Sequence, residues 1–214
     1  MDKDAKKIKA GLAILGDVVE IGLKKAGQSL GEISGREISI EGPGLEITSL
    51  EKFINLAGGP DTLVAAVYLT VSGDFEGHLL LLIPIVQVPE LIQMILGESE
   101  DNSYSLEDEV NRSLLGELGN IVGTSFLNIM GNKLEMIMLP SIPYVLTDFA
   151  GSILSSLAVQ TTTVGEESWE QILVVNTKFI EISKKIQGFF LLLPQPGTLN
   201  QFLNKVVTKK HGST

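Results

Sequence analysis

The chain has no cysteine, which removes disulfides, thiolate metal ligands and a cysteine nucleophile from consideration. Histidine is scarce too. His78 and His211 stand far apart, with no acidic or histidine neighbours at ligand spacing, so a metal centre has little to build on and a Ser/His/Asp triad cannot be assembled. Positive charge is also short: 16 Lys+Arg against 26 Asp+Glu leave a formal net charge of −10, which repels nucleic acid in the absence of a basic run. The tail residues Lys205, Lys209, Lys210 and His211 lack interleaved aromatics and read as solvated. Long apolar runs are missing. The longest, Leu79 to Val86, is interrupted by Pro84 and falls well short of the roughly 20 residues that span a bilayer. The opening residues carry Asp2, Lys3, Asp4, Lys6 and Lys7 instead of a signal-peptide core. Gly58-Gly59-Pro60 lacks the lysine and hydroxyl residue of a phosphate-cradling loop. The expectation is a cytoplasmic protein with no membrane or nucleic-acid partner and no cofactor or metal of its own.

What is present is a dense interior and a repeat. Hydrophobic residues make up 44% of 214, enough for a well-buried core. Two segment pairs recur in the same order. Glu20-Ile21-Gly22 matches Glu117-Leu118-Gly119, and 117 − 20 gives an offset of 97. That offset sets Leu30 against Leu127 and Pro43 against Pro140. Further on, Val64–Val71 followed by GHLLLLIP answers Ile172–Phe179 followed by GFFLLLP. A short helical pattern follows each, Pro89 to Leu96 and Thr198 to Val206. The continuous apolar strands fit a sheet covered on both faces, with a hairpin turn at Ser72-Gly73-Asp74.

The predicted fold is α+β: one domain over 1–214 built from two homologous halves, about 8–97 and about 105–207. A largely antiparallel sheet packs with long helices around a pseudo-twofold axis. The acidic stretch from Gly97 to Tyr104 reads as the linker between halves. Ser105 and Asp108 form a predicted capping box for a helix reaching Met130, with Gly131 as its left-handed stop.

On that second-half helix, at about 100° per residue, Ser113, Glu117, Asn120 and Thr124 fall within about 60° of one another and make a polar stripe. Leu114, Leu118, Ile121, Val122, Phe126 and Ile129 lie on the core side. Gly116, Gly119 and Gly123 flank the stripe. Each costs roughly 0.5–1 kcal/mol in a helix interior, so some surface comes close there, either a partner's or a strand of the same chain.

Ser113-x-x-x-Glu117-x-x-Asn120, with Pro143 following 23 positions after Asn120, resembles the signature of the CheC/CheX/FliY phosphatases of bacterial and archaeal chemotaxis. That signature is an acidic residue or serine, then Glu, then Asn, then a distant proline. The duplicated layout, Leu-Ala-Gly-Gly-Pro at 56–60, and Gly77 and Gly188 before apolar strands look like CheC in particular. The resemblance implies a hydrolase of two-component signalling that removes phosphate from the phospho-aspartate of a CheY-like response regulator. Mg²⁺ would be held by the partner's receiver domain. In that scheme Glu117 and Asn120 are catalytic, Glu117 anchoring a cation of the regulator and Asn120 orienting water. Ser113 and Pro143 support them.

By the 97-residue offset Gly16 stands where Ser113 does, Glu20 matches Glu117 and Leu23 replaces Asn120, with nothing answering Pro143. The expectation is one active site, in the second half, where relatives often carry two. The resemblance also leaves room for a non-catalytic module like the middle domain of FliM, or an adaptor for the deamidase CheD. The expected oligomeric state is a monomer. Trp169 reads as a rim aromatic, and His78 and Tyr68 as structural.

Overall fold

The structure is a computed structural model that describes residues 3–42, 44–97, 106, 108–161, 172–181, 184–196 and 198–211. Trp169, Ser105, Pro43 and the predicted linker residues 98–104 lie outside these. Among the described residues there are six helices and eight strands. The first half contributes α1 (Lys3–Ser34), β1 (Ser39–Glu41), β2 (Leu45–Thr48), α2 (Leu50–Leu56), β3 (Leu63–Gly73), β4 (Gly77–Pro84) and α3 (Val88–Leu96). The second repeats the order with α4 (Glu109–Leu134), β5 (Met138–Pro140), β6 (Tyr144–Phe149), α5 (Ala150–Thr161), β7 (Ile172–Glu181), β8 (Lys184–Pro194) and α6 (Leu199–His211).

All pairings join one antiparallel sheet in the order β1-β7-β8-β4-β3-β5, with β2 also on β7 and β6 also on β3. The halves interleave. The first half's β1 and β2 pair with the second half's β7, while β5 and β6 pair with β3. A pseudo-twofold axis runs between the central strands β4 and β8, whose side chains alternate between two cores. Leu79, Leu81 and Ile83 join the layer of α1, α3, α4 and α6, whereas Leu80 and Leu82 join the layer of α2 and α5. Burial on both faces is the physical reason for the unbroken apolar runs. The hairpin between β3 and β4 turns where expected, with Gly73 at φ +112.

Two local expectations are corrected. The N-cap of α4 is Asp108, whose carboxylate accepts from the Val110 N–H at 2.8 Å. It acts as the cap itself and not as the third-position partner of Ser105. The helix passes Gly131 and ends at Leu134, with Glu135 taking the left-handed conformation at φ +52. Gly131 is small for a different reason: the chain leaving the helix folds back over it. A Cβ there would meet the Met136 carbonyl oxygen at 2.7 Å.

Of the two surfaces left open for the glycines flanking the polar stripe, the structure shows the second. They face the protein's own sheet. A Cβ at Gly119 would overlap the Val67 side chain, and one at Gly123 would meet Leu79 Cδ2 at 3.1 Å. One at Gly116 would meet Val145 Cγ2 at 3.3 Å. They bring α4 down onto β3 and β6, and that descent sets the depth of the site.

Candidate functional site

The polar stripe of α4 forms one wall of a groove. Ser113 and Glu117 are exposed and Asn120 is half-buried, one turn apart along the wall. Leu118, Val122 and Phe126 on the opposite side are buried, and Leu114, Ile121 and Ile129 pack against the core edge. The second wall is the connection between β5 and β6, Pro140 to Tyr144. Pairing to β3 holds this connection. The Ser141 N–H donates to the Thr70 carbonyl at 2.8 Å, and Ser141 Oγ accepts from the Thr70 N–H at 3.0 Å. Between the walls is an open cleft of about 720 Å³.

All four residues singled out in the second half line this cleft: Ser113, Glu117, Asn120 and Pro143. The tertiary fold therefore brings a proline 23 residues away in sequence opposite the helical stripe. Thr124 extends the stripe inward and donates from Oγ1 to Asn120 Oδ1 at 3.3 Å. That bond turns one amide oxygen lone pair down the helix and leaves the NH₂ and the remaining lone pair for a ligand in the cleft. The rim carries features that residue spacing did not single out. Ile142 is 89% and Tyr144 66% exposed, and Arg112 adds an exposed guanidinium. An apolar, solvent-facing rim is characteristic of a surface that meets another protein.

The first-half counterpart is corrected. Burial along α1 repeats along α4 at an offset of 100: Leu15 with Leu115, Val18 with Leu118, Leu23 with Gly123, Ala26 with Phe126 and Leu30 with Met130 are buried in both. The helix exits agree. Arg36 N–H donates to Gly31 O at 3.3 Å and Met136 N–H to Gly131 O at 2.8 Å, and 131 − 31 and 136 − 36 both give 100. An offset of 97 is slipped by about one helical turn, which nearly preserves the apolar face and so escapes notice in sequence. In the structural register Ala13 answers Ser113, Asp17 answers Glu117 and Glu20 answers Asn120; Pro43, 100 positions before Pro143 in sequence, lies outside the described residues. Leu23 is 1% exposed and faces the core, so it is not the counterpart of Asn120.

Tyr68 and His78 pair away from this groove. Tyr68 Oη and His78 Nδ1 share a hydrogen bond of 2.7 Å, and the rings stack with centroids 5.4 Å apart. Burial lowers the His78 pKa and raises that of Tyr68. No helix among the described residues is long and apolar enough to cross a membrane.

No protein-family model matches the chain. Over 184 residues, 85% of this chain and 86% of the other, it is 28% identical to the CheY-P phosphatase CheC of Bacillus subtilis strain 168. The fold is similar to Thermotoga maritima FliY, with a TM-score of 0.71 at 19% identity, covering 94% of this chain and 97% of that one. The FliM middle domain from H. pylori superposes with a TM-score of 0.60 at 12% identity, covering 92% of this chain and 98% of that one. At those identities the two structures speak to the fold alone.

Proposed function

Starting from a chain that is a relative of CheC and has the FliY fold, we propose that it is a phosphatase acting on the phospho-aspartate of a CheY-like receiver domain. The observation that carries this reading is the meeting of Ser113, Glu117, Asn120 and Pro143 in one cleft. An acyl phosphate already bound to its receiver's Mg²⁺ needs chiefly a water held in line, because phosphoryl transfer depends on positioning and charge stabilisation. The Asn120 amide donates one hydrogen bond to that water and accepts another, with Thr124 holding its orientation. The exposed Glu117 carboxylate makes a charge-assisted contact with a receiver lysine. Ser113 lines the approach one turn earlier, and Pro143 stiffens the facing wall. Water adds to phosphorus as the bond to the aspartyl oxygen breaks. The products are inorganic phosphate and free aspartate, and no bond to this chain forms. Mg²⁺ belongs to the receiver, and this chain supplies no cofactor.

The test is phosphate loss from a phosphorylated receiver in Mg²⁺, with wild-type protein, Asn120→Ala or Glu117→Ala. Wild type accelerates the loss, and each variant loses at least about tenfold of that acceleration. Full acceleration by Asn120→Ala would overturn the assignment.

A second reading, a non-catalytic interaction module, is favoured by the FliM-like fold and by the apolar rim at Ile142 and Tyr144. Binding to the phosphorylated receiver without acceleration would select it. An adaptor role toward CheD is compatible with either reading. Gel filtration of the chain with and without CheD tests it, and absence of a complex removes it.

A further inference from the structure

The pseudo-twofold axis places a second groove on α1, and it is a built cleft of about 590 Å³. Gly16 and Glu20 form its helical wall, with Ile40 and Gly42 opposite. At the offset of 100 these are the positions of Gly116, Asn120, Pro140 and Ile142 in the first groove described. The cradle is therefore present twice. What differs is the chemistry on the stripe. Asp17 keeps the carboxylate of Glu117 one methylene shorter. Glu20 and Lys24 replace the hydrogen-bonded pair Asn120 and Thr124 as a unit.

Resting on the phosphatase reading, we infer that the first-half groove is a silenced copy of the site, blocked by side-chain chemistry and not by architecture. A carboxylate at position 20 accepts hydrogen bonds but has no N–H to donate, so it cannot hold water as an amide does. It also sets a negative charge beside an incoming phosphoryl group, in an open cleft that Lys24 and Lys178 line as well. Lys24 stands one turn on from Glu20, at the spacing where glutamate and lysine attract one another on a helix. Lys24 also has no hydroxyl to answer the one that Thr124 donates to Asn120. The packing beneath does not share the block. Val19 and Leu23, which flank Glu20, are 2% and 1% exposed and point into the core. Asp17, Glu20 and Lys24 are themselves exposed, so they can be exchanged without disturbing it.

The experiment installs the second-half residues in the first groove: Asp17→Glu with Glu20→Asn and Lys24→Thr. The triple variant is made alone and in the Asn120→Ala background, and phosphate loss from a phosphorylated CheY-like receiver with Mg²⁺ is measured. In the Asn120→Ala background the triple change restores acceleration to about tenfold above Asn120→Ala alone. In the otherwise wild-type chain it adds a similar increment to the activity of the second-half site. No restoration, from a protein whose second-half site still works at the wild-type rate when Asn120 is present, would overturn the inference while leaving the phosphatase reading intact. The smaller pair Glu20→Asn with Lys24→Thr, made in the same background, guards against a fold lost through the third change. A wild-type chain that gives no acceleration at all removes the phosphatase reading, and this inference with it.

Discussion

At the scale of single residues, Thr124 and His78 carry the sharpest expectations. Thr124 donates from Oγ1 to the Asn120 amide oxygen, so it is a positioning residue. Thr124→Val keeps the shape and removes the donor. It is expected to lower kcat roughly threefold to tenfold with KM unchanged, whereas Thr124→Ser restores most of the rate. A merely structural role would move the melting temperature and not separate kcat from KM. His78 bears on stability. Burial holds its folded pKa below the ordinary 6.5, so below about pH 6.5 the unfolded chain takes up the proton more readily than the folded one. Stability contributed above that pH is lost as the pH falls toward the folded pKa. His78→Gln is expected to flatten stability against pH between about 7 and 5, measured by urea unfolding. An unchanged slope would show that the Tyr68–His78 pair does not sense acid. Sequence spacing identified Ser113, Glu117 and Asn120 as one stripe because helical periodicity is local. It was silent on Thr124 as a hydrogen-bond partner, since a threonine one turn on bonds as readily to backbone as to a side chain.

At the scale of elements, the two long helices are anchored at equivalent points. A Cβ on Gly31 would meet the Arg36 carbonyl oxygen at 2.8 Å, and one on Gly131 would meet the Met136 carbonyl oxygen at 2.7 Å. The chain turns back across the helix end in both halves. Gly31→Ala and Gly131→Ala are therefore each expected to destabilise by about 1–3 kcal/mol, through overpacking that backbone cannot readily relieve. Chemical denaturation of both variants would check this, and a large cost at one site with none at the other would count against the offset of 100. The helix start was partly legible. Acidic residues before a periodic stretch announced an N-terminus, but which of Ser105 or Asp108 caps it depends on backbone conformation that residue type does not specify.

At the scale of the whole molecule, interleaving governs the energetics. β7 carries both β1 and β2, and β3 carries both β5 and β6, so each half completes the other's sheet. Separately expressed halves, cut within 98–105, would expose unpaired strand edges and half of each core. Neither is expected to fold alone. The intact chain is expected to unfold in one cooperative transition. Dispersed amide NMR signals from an isolated half, or two separated unfolding transitions, would contradict this.

The sequence by itself determined the class of the fold, the duplication and the residues of the second-half stripe. Periodicity and strand composition act over short range and survive without knowledge of neighbours. Only the tertiary structure decided which surface the glycines serve, because a helix flank looks the same whether a partner or Val67 lies beneath it. It alone brought Pro143 across from α4, through the pairing of β5 and β6 with β3. It alone set the register between the halves. A slip of three residues is close to one helical turn and leaves the apolar face almost unchanged, so burial against the rest of the molecule had to choose Glu20, and not Leu23, as the counterpart of Asn120.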